Sequence, residues 1–330
     1  MFDLSFQAPL TELLQTMLPP DQGFILVDIG ASGDPPPIWQ ELAPFASYIG
    51  FDPDARELNE SNRYGFQDFK LIKKIVTDDD VSTVKFFLTD YPYCSSTLKP
   101  DMAQCAQYTF TETFVVTDQT EFPAIRLDQV MADLELDRLD WLKLDSQGKD
   151  LDLFLSIHES LRSQILAIDI EPGVVAFYEG ENTFAESHQA LLDEGFWLAS
   201  LQLQNGGFAR IYQSTRRALA DYRLSPDQEP IDFMGLPVSP TALEARYFRS
   251  LESLIARGAT VRDFLTLWMF ALCDQKLGFA LDVAVHLKSQ SDRSEMAKLG
   301  EQMLQLTLTE VDRYQKQGLR ATQRTSAHRF

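Results

Sequence analysis

Two acidic strand ends are the first places in this chain where chemistry could be done. Phe24-Ile25-Leu26-Val27-Asp28-Ile29-Gly30-Ala31-Ser32-Gly33-Asp34 is a short apolar, β-branched run that stops in a carboxylate and a glycine-containing turn. Tyr48-Ile49-Gly50-Phe51-Asp52-Pro53-Asp54 repeats that order. Such runs read as buried parallel strands, and ligands of open α/β sheets lie beyond the carboxyl ends of the strands. An acidic residue ending the second strand is placed to accept hydrogen bonds from both hydroxyls of a ribose. Glycine in the first turn permits positive φ and leaves no Cβ in the way of a bound molecule. The two ends together predict a nucleoside pocket, although Asp28 to Gly33 alone would equally fit an ordinary strand–turn–helix corner.

The dinucleotide fingerprint G-x-G-x-x-G would require glycine at 32 and 35, where Ser32 and Pro35 stand, which argues against NAD-dependent oxidoreduction. No Gly-Lys-Ser/Thr follows the first strand, and no Lys or Arg lies between 24 and 55, so a P-loop is absent. Asp28 and Asp34 crowd the turn, which suits a cation and repels a pyrophosphate. S-adenosylmethionine carries a sulfonium and an ammonium beside its one carboxylate and matches that charge.

A second set of carboxylates, Asp145, Asp150, Asp169 and Glu171, falls at the ends of the fourth and fifth expected strands. Methyl transfer from a sulfonium is an in-line displacement that depends on holding the reactants together. A hydroxyl acceptor must also lose its proton as the new bond forms. Asp145 is the first candidate for base or acceptor-orienting group and Glu171 the second. Asp169 shares the face of Glu171, because strand side chains alternate. Asp150 reads equally well as a carboxylate opposing a helix dipole. Paired carboxylates can hold a divalent cation, but hard-metal sites need more oxygen ligands than can be assigned, so no metal is expected. His158, His188, His286 and His328 show no metal spacing, and no G-x-S-x-G is present. Tyr91, Tyr93, Ser95 and Ser96 form a loop that suits a sugar ring or, equally, core packing; Gln147 joins Tyr93, Ser95 and Ser96 as a substrate-binding candidate.

Composition narrows the partners. The net charge is −20; residues 1–213 hold 13 Lys/Arg against 35 Asp/Glu, and residues 214–330 hold 16 against 14. So acidic a surface repels phosphate backbones, which makes nucleic acid an unfavourable partner. Cys94, Cys105 and Cys273 lack C-x-x-C spacing and read as reduced thiols of a cytoplasmic protein. The N-terminus lacks a basic start and a long apolar run. The longest apolar run, 264–273, is about half of what spans a bilayer, so a soluble protein is expected.

The elements that must position these residues follow in order. A helix over 10–18 presents Leu10, Leu13, Leu14 and Met17 on one face. Strands are expected over 24–29, 47–52 and 71–77, with helices over 38–42 and 54–62. A β-rich insertion carries strands at 83–88 and 113–117 and a helix at 125–132. A fourth strand over 140–145, a helix over 151–157, a fifth strand over 165–170 and a helix over 184–194 follow. Residues 196–203 and 208–212 read as a hairpin around Asn205-Gly206-Gly207. Alternating β and α closed by a hairpin gives a mostly parallel α/β sheet with an antiparallel edge. Residues 214–240 read as a linker, and 241–330 as an all-helical extension with Leu243, Tyr247, Leu251, Leu254 and Ile255 on one face. The apolar faces of that extension exceed what one helix hides, so they are expected to pack on one another or on a second copy as a homodimer.

These motifs, in this order, resemble the FkbM family of S-adenosylmethionine-dependent methyltransferases. The matching pieces are Val27 to Gly33, Gly50-Phe51-Asp52-Pro53-Asp54, Ser95-Ser96, Arg126-Leu127-Asp128, Asp140 to Asp150, Ile168-Asp169-Ile170-Glu171, Phe184 and Gly195-Phe196. They cover roughly residues 20–213 and leave the helical extension outside. The family usually has Glu where Asp52 and Asp150 stand, and the prolines after Asp34 are unusual for it. The resemblance implies a Rossmann-like class I methyltransferase domain over 1–213. It also implies O-methylation of a sugar, glycoconjugate or secondary-metabolite hydroxyl. In such a sheet Gly30, Ala31, Ser32 and Gly33 lie beside the methionine moiety, with Asp28 near its ammonium. Asp52 and Pro53 would hold the ribose, and Thr77 and Asp78 would flank the adenine, though Asp78-Asp79-Asp80 also reads as a solvated acidic turn. A non-catalytic nucleoside-binding scaffold that uses the helical tail is the alternative.

Overall fold

The computed structural model describes residues 8–19, 23–53, 61–203, 208–290 and 295–327, the last helix as backbone only beyond 316. Seven strands form the main sheet: β1 (Phe24–Ile29), β2 (Ala46–Phe51), β3 (Asp68–Ile72), β7 (Trp141–Leu144), β8 (Ala167–Ile170), β9 (Phe196–Leu203) and β10 (Leu243–Arg249). Their order is β3-β2-β1-β7-β8-β10-β9. All neighbours are parallel except β10, which runs antiparallel to both β8 and β9. This is the expected Rossmann-like α/β sheet, mostly parallel with an antiparallel edge. The strand order reverses between β1 and β7, and a crevice opens at their carboxyl ends.

Both faces are covered, which is why β1 is buried throughout and shows no polar alternation. On one face Phe24, Leu26, Tyr48, Trp141 and Phe248 pack with the helices Ala8–Met17, Val261–Cys273 and Leu277–Lys288. On the other, Val27, Ile49, Leu142, Leu144 and Ile168 meet the helices Leu127–Asp133, Asp150–Ser156 and Phe184–Asp193. The helix Val261–Cys273 is thus a layer of the sheet domain. A capping box of Thr260 and Asp263 starts it. Arg262 ties it to the strand starts, bonding both oxygens of Asp140 at 2.8 and 2.9 Å. Its apolar residues are consumed against the sheet, so a second copy is not needed to cover them.

The insertion forms a second sheet from β4 (Ile75–Val76), β5 (Thr83–Thr89) and β6 (Val116–Ile125), in the order β4-β6-β5. The single strand expected over 71–77 is therefore two, β3 in the main sheet and β4 in the second. Residues 111–114 form a short 3-10 turn ahead of β6, where a strand at 113–117 was expected.

The larger difference lies at the sheet edge. Residues 208–212 form no strand; Arg210 makes a lone bridge to Tyr108. The antiparallel partner of β9 is β10, within the stretch expected to be helical. Leu243, Tyr247, Leu251 and Leu254 recur at helical spacing, but Leu243, Ala245 and Tyr247 also alternate with Arg246 and Phe248 at period two. With both faces of β10 covered, only tertiary packing decides between the two periods. The sheet accordingly runs past residue 213, and 214–240 connects two of its strands. The expected helix over 54–62 falls largely outside the described residues, as does the turn at 205–207. Among the described residues no helix is long and apolar enough to cross a membrane.

Candidate functional site

Gly30 adopts φ +87°, and a Cβ there would overlap the backbone carbonyl oxygen of Asp145. Its glycine is therefore required by the close approach of the β7 end, as well as by its conformation. The Gly30 and Ala31 amides both donate to the Phe51 carbonyl, at 3.0 and 2.9 Å, which fastens the turn after β1 to the end of β2.

Two cavities flank this turn. The larger, of about 1120 Å³, is lined by Asp52, Pro53, Thr77, Asp78, Ser146 and Gln147 among others. The smaller, of about 510 Å³, lies on the side of the C-terminal helices and is lined by Asp28, Lys143, Asp169, Glu171, Arg246 and Gln275 among others. Gly30, Ser32 and Asp145 line both. Asp145 thus stands where the two cavities meet.

On the tail-side face the strand register sets Asp28 opposite Lys143, Lys143 opposite Asp169, and Asp169 opposite Arg246. This row alternates in sign across four strands, the favourable cross-strand arrangement. Arg246 grips Asp169 through two bonds of 2.8 Å and reaches Asp274 at 2.6 Å. Lys143 Nζ lies 3.5 Å from Asp28 Oδ1, 3.5 Å from Asp145 Oδ2 and 3.9 Å from Glu171 Oε1. Burial opposes the Lys143 charge, but these carboxylates outweigh it and raise its pKa.

Burial raises the pKa of Asp28, while Lys143 and the Tyr48 hydroxyl, donating to Oδ2 at 3.0 Å, oppose the shift. Asp28 is 3 % exposed, and its Oδ1 accepts no hydrogen bond. Glu171 is pushed up to about 8, first by burial and next by the Asp145 carboxylate. Asp150, raised to about 6 by burial, accepts from the Ser146 amide at 2.9 Å, the Ser146 hydroxyl at 2.6 Å and the Glu171 amide at 2.9 Å. It clasps the loops after β7 and β8 together, which neither sequence reading of Asp150 anticipated.

The structure gathers most of the expected residues and redirects several. Asp52, 8 % exposed, and Thr77, 5 % exposed, both line the larger cavity. Asp78 also lines it, but its carboxylate is paired with Lys149 at 2.7 Å, so it is not simply a solvated turn. Ala31 and Gly33 line neither cavity. Tyr93 reaches the larger cavity and packs on Tyr91. Ser95 lines it too, with its Oγ accepting from the Thr89 amide at 3.1 Å. Ser96 is fully buried and donates to the Gln147 carbonyl at 2.7 Å, a supporting position away from both cavities. Asp169 shares its face with Glu171 as expected, and Arg246 holds both of its carboxylate oxygens. Gln147, at φ +56°, donates from Nε2 to Asp145 Oδ1 at 2.8 Å and accepts from the Tyr178 hydroxyl at 3.2 Å. Its side chain thus serves Asp145.

Lys143, Tyr48, Tyr178 and Arg246 went unread in the sequence. A lysine inside the apolar run Trp141-Leu142-Lys143-Leu144 was the available signal, since a buried ammonium requires carboxylate partners. Among the described residues no group of three or more His, Cys, Asp or Glu is arranged to hold a metal ion. Lys143 occupies the centre of the carboxylates instead.

An S-adenosylmethionine molecule finds complementary groups here. Asp52 offers acceptors for ribose hydroxyls inside the larger cavity. Asp28 Oδ1, 3.5 Å from Lys143 Nζ and without a hydrogen-bond donor, lines the smaller cavity and offers an acceptor for an ammonium. No lysine or arginine lies on the turn itself.

Residues 54–198 match the family model described as methyltransferase FkbM domain. The match opens just after Asp52 and includes Asp145, Asp150, Asp169 and Glu171; Asp28, Gly30 and Asp52 lie ahead of it. No curated protein matches the chain. A solved structure of a TehB-like SAM-dependent methyltransferase from Corynebacterium glutamicum ATCC 13032 Kitasato is 12 % identical, with a TM-score of 0.27, covering 73 % of this chain and 88 % of that one.

Proposed function

We propose that this chain methylates a hydroxyl of a sugar, glycoconjugate or other small molecule, because residues 54–198 match the FkbM methyltransferase family, whose methyl donor is S-adenosylmethionine. The observation that carries this reading is the position of Asp145, which lines both cavities at once. Bound S-adenosylmethionine supplies an electrophilic methyl group on a sulfonium. Asp52 accepts the ribose hydroxyls, Pro53 and Thr77 wall the nucleoside, and Asp28 receives the ammonium.

Asp145 then acts on the acceptor. Gln147 fixes its carboxylate through one oxygen, and Lys143 stands 3.5 Å from the other. As the hydroxyl oxygen bonds to the methyl carbon, its proton passes to Asp145 and the sulfonium becomes a thioether. Burial and the Asp145 carboxylate raise the Glu171 pKa, which favours its protonated form and suits hydrogen-bond donation to the acceptor; this ranks Asp145 first as the base. General-base catalysis contributes about 10²–10⁴ in rate.

The test is calorimetry and a methyl-transfer assay on the same Asp145→Asn protein. S-adenosylhomocysteine affinity within about threefold of wild type, with turnover reduced by about 10²-fold or more, supports the reading. Undiminished turnover contradicts it.

A further inference from the structure

We propose that the face of the molecule carrying the entrance to the larger cavity docks reversibly on a zwitterionic lipid surface. Among the described residues seven large apolar or aromatic side chains are more than half exposed: Tyr93, Tyr212, Tyr222, Leu224, Met234, Val238 and Tyr314. Tyr314 lies on the last helix. The other six lie beyond the carboxyl ends of the parallel strands. Tyr93 lines the larger cavity there. The remaining five belong to the connection from β9 to β10, which sits at that end because β10 runs antiparallel to β8 and β9. Scattered single exposures are ordinary, whereas six on one side of a molecule mark an interaction surface.

Polar contacts join these residues into one surface. Tyr91 packs on Tyr93 with ring centroids 5.3 Å apart, and its amide donates to the Thr113 carbonyl at 3.3 Å. The preceding residue, Glu112, accepts from Arg216 at 3.1 and 3.2 Å. Arg216 in turn lies 3.9 Å from the Met234 sulfur. Within the same connection the Ile231 amide donates to the Tyr222 carbonyl at 3.1 Å. Leu224, at 75 %, is the most exposed large apolar side chain of the described residues.

Charge selects the occupant. A net charge of −20 opposes the approach of a second copy and of an anionic membrane alike. Residues 212–240 hold three arginines and no lysine against four Asp/Glu, so the connection lacks the basic cluster that anionic headgroups attract. Tyrosines among aliphatic side chains are the composition that settles where headgroups meet acyl chains. A lipid surface without net charge answers both the apolar and the electrostatic character of this face.

The cavity entrance argues the same way. Tyr93 is 52 % exposed and lines the larger cavity, so whatever ligand that cavity takes must pass this face. A permanent protein partner seated here would cover the entrance. Docking through a few apolar side chains scales with the small area they bury, so the surface is left and regained.

The experiment floats the full chain with vesicles of phosphatidylcholine alone and of phosphatidylcholine mixed with phosphatidylserine. Binding to the first is expected, unchanged by high salt, and at least about threefold weaker to the second. Leu224→Ser and Met234→Ser should each lower the partition coefficient by at least about fivefold. Tyr314→Ser, equally exposed but on the last helix, should leave it unchanged. No binding to phosphatidylcholine, equal losses from Leu224→Ser and Tyr314→Ser, or tighter binding to the mixed vesicles would overturn the inference. So would a wild-type dimer in ultracentrifugation that Leu224→Ser dissociates, since that assigns the face to a second copy. Vesicle binding requires no methyl donor, so its outcome is separate from the test of the methyl-transfer reading.

Discussion

Gln147 Nε2 lies 2.8 Å from Asp145 Oδ1, and the residue that makes this contact holds a left-handed backbone at φ +56°. Such a conformation costs a non-glycine residue about 1 kcal/mol or more unless the surroundings enforce it. Here they do: Ser96 bonds the Gln147 carbonyl and Tyr178 bonds its side-chain oxygen. The strained turn aims one carboxylate at the junction of two cavities. Gln147→Leu keeps the size and removes the amide, so turnover should fall by about 10-fold or more while donor affinity stays near wild type. Kinetics on the variant, separating kcat from donor KM, check this; an unchanged kcat would contradict it.

Asp52 is assigned to the ribose. Hydrogen bonds to a charged group contribute about 1.5–3 kcal/mol. Asp52→Ala should therefore weaken S-adenosylhomocysteine binding by about 10- to 100-fold with little change in melting temperature. Isothermal calorimetry decides, and undiminished affinity would remove the assignment.

Gly30→Ala should destabilise the fold. The added Cβ meets the Asp145 carbonyl oxygen, and the backbone lies at positive φ. A loss of about 1–3 kcal/mol is expected, visible as a melting temperature several degrees lower in thermal denaturation. Gly33→Ala, where a Cβ would meet open space, should cost only the backbone strain. Equal effects at both positions would contradict the steric account of Gly30.

Stability should fall with rising pH across the neutral range. The Glu171 pKa is raised from 4.5 to about 8 and that of Asp150 from 3.8 to about 6, both primarily by burial. Between the unfolded and folded values the native state binds the extra proton. The contribution is thus fully present below the unfolded pKa and lost as pH rises through the folded one, by at most about 1.4 kcal/mol per pH unit for each group. A melting temperature roughly 5 °C higher at pH 6 than at pH 8 is expected. Glu171→Gln should remove most of that difference, whereas general repulsion among acidic surface groups persists in both proteins. An identical slope in the variant would show that Glu171 is not responsible.

Much of the sheet was legible because buried parallel strands leave short apolar runs that end in polar turns, as Phe24 to Asp28 and Trp141 to Asp145 do. Strand β10 was not, because Leu243 and Tyr247 fit a period of two and also continue into Leu251 and Leu254 at helical spacing. The donor side of the site was readable from Asp52 and Gly30, whose residue types are dictated by strand ends and backbone geometry. The acceptor side depends on register. Nothing local reveals that Lys143 meets Asp28 or that Arg246 meets Asp169, since those pairs are 115 and 77 residues apart.

The most direct test is a crystal structure of the full chain soaked with S-adenosylhomocysteine. The adenosyl group should occupy the larger cavity, with its ribose hydroxyls within hydrogen-bond distance of Asp52 and its sulfur beside Asp145, facing the smaller cavity. A nucleoside bound in the smaller cavity, or a larger cavity that stays empty at saturating ligand, would contradict the proposed division of the site.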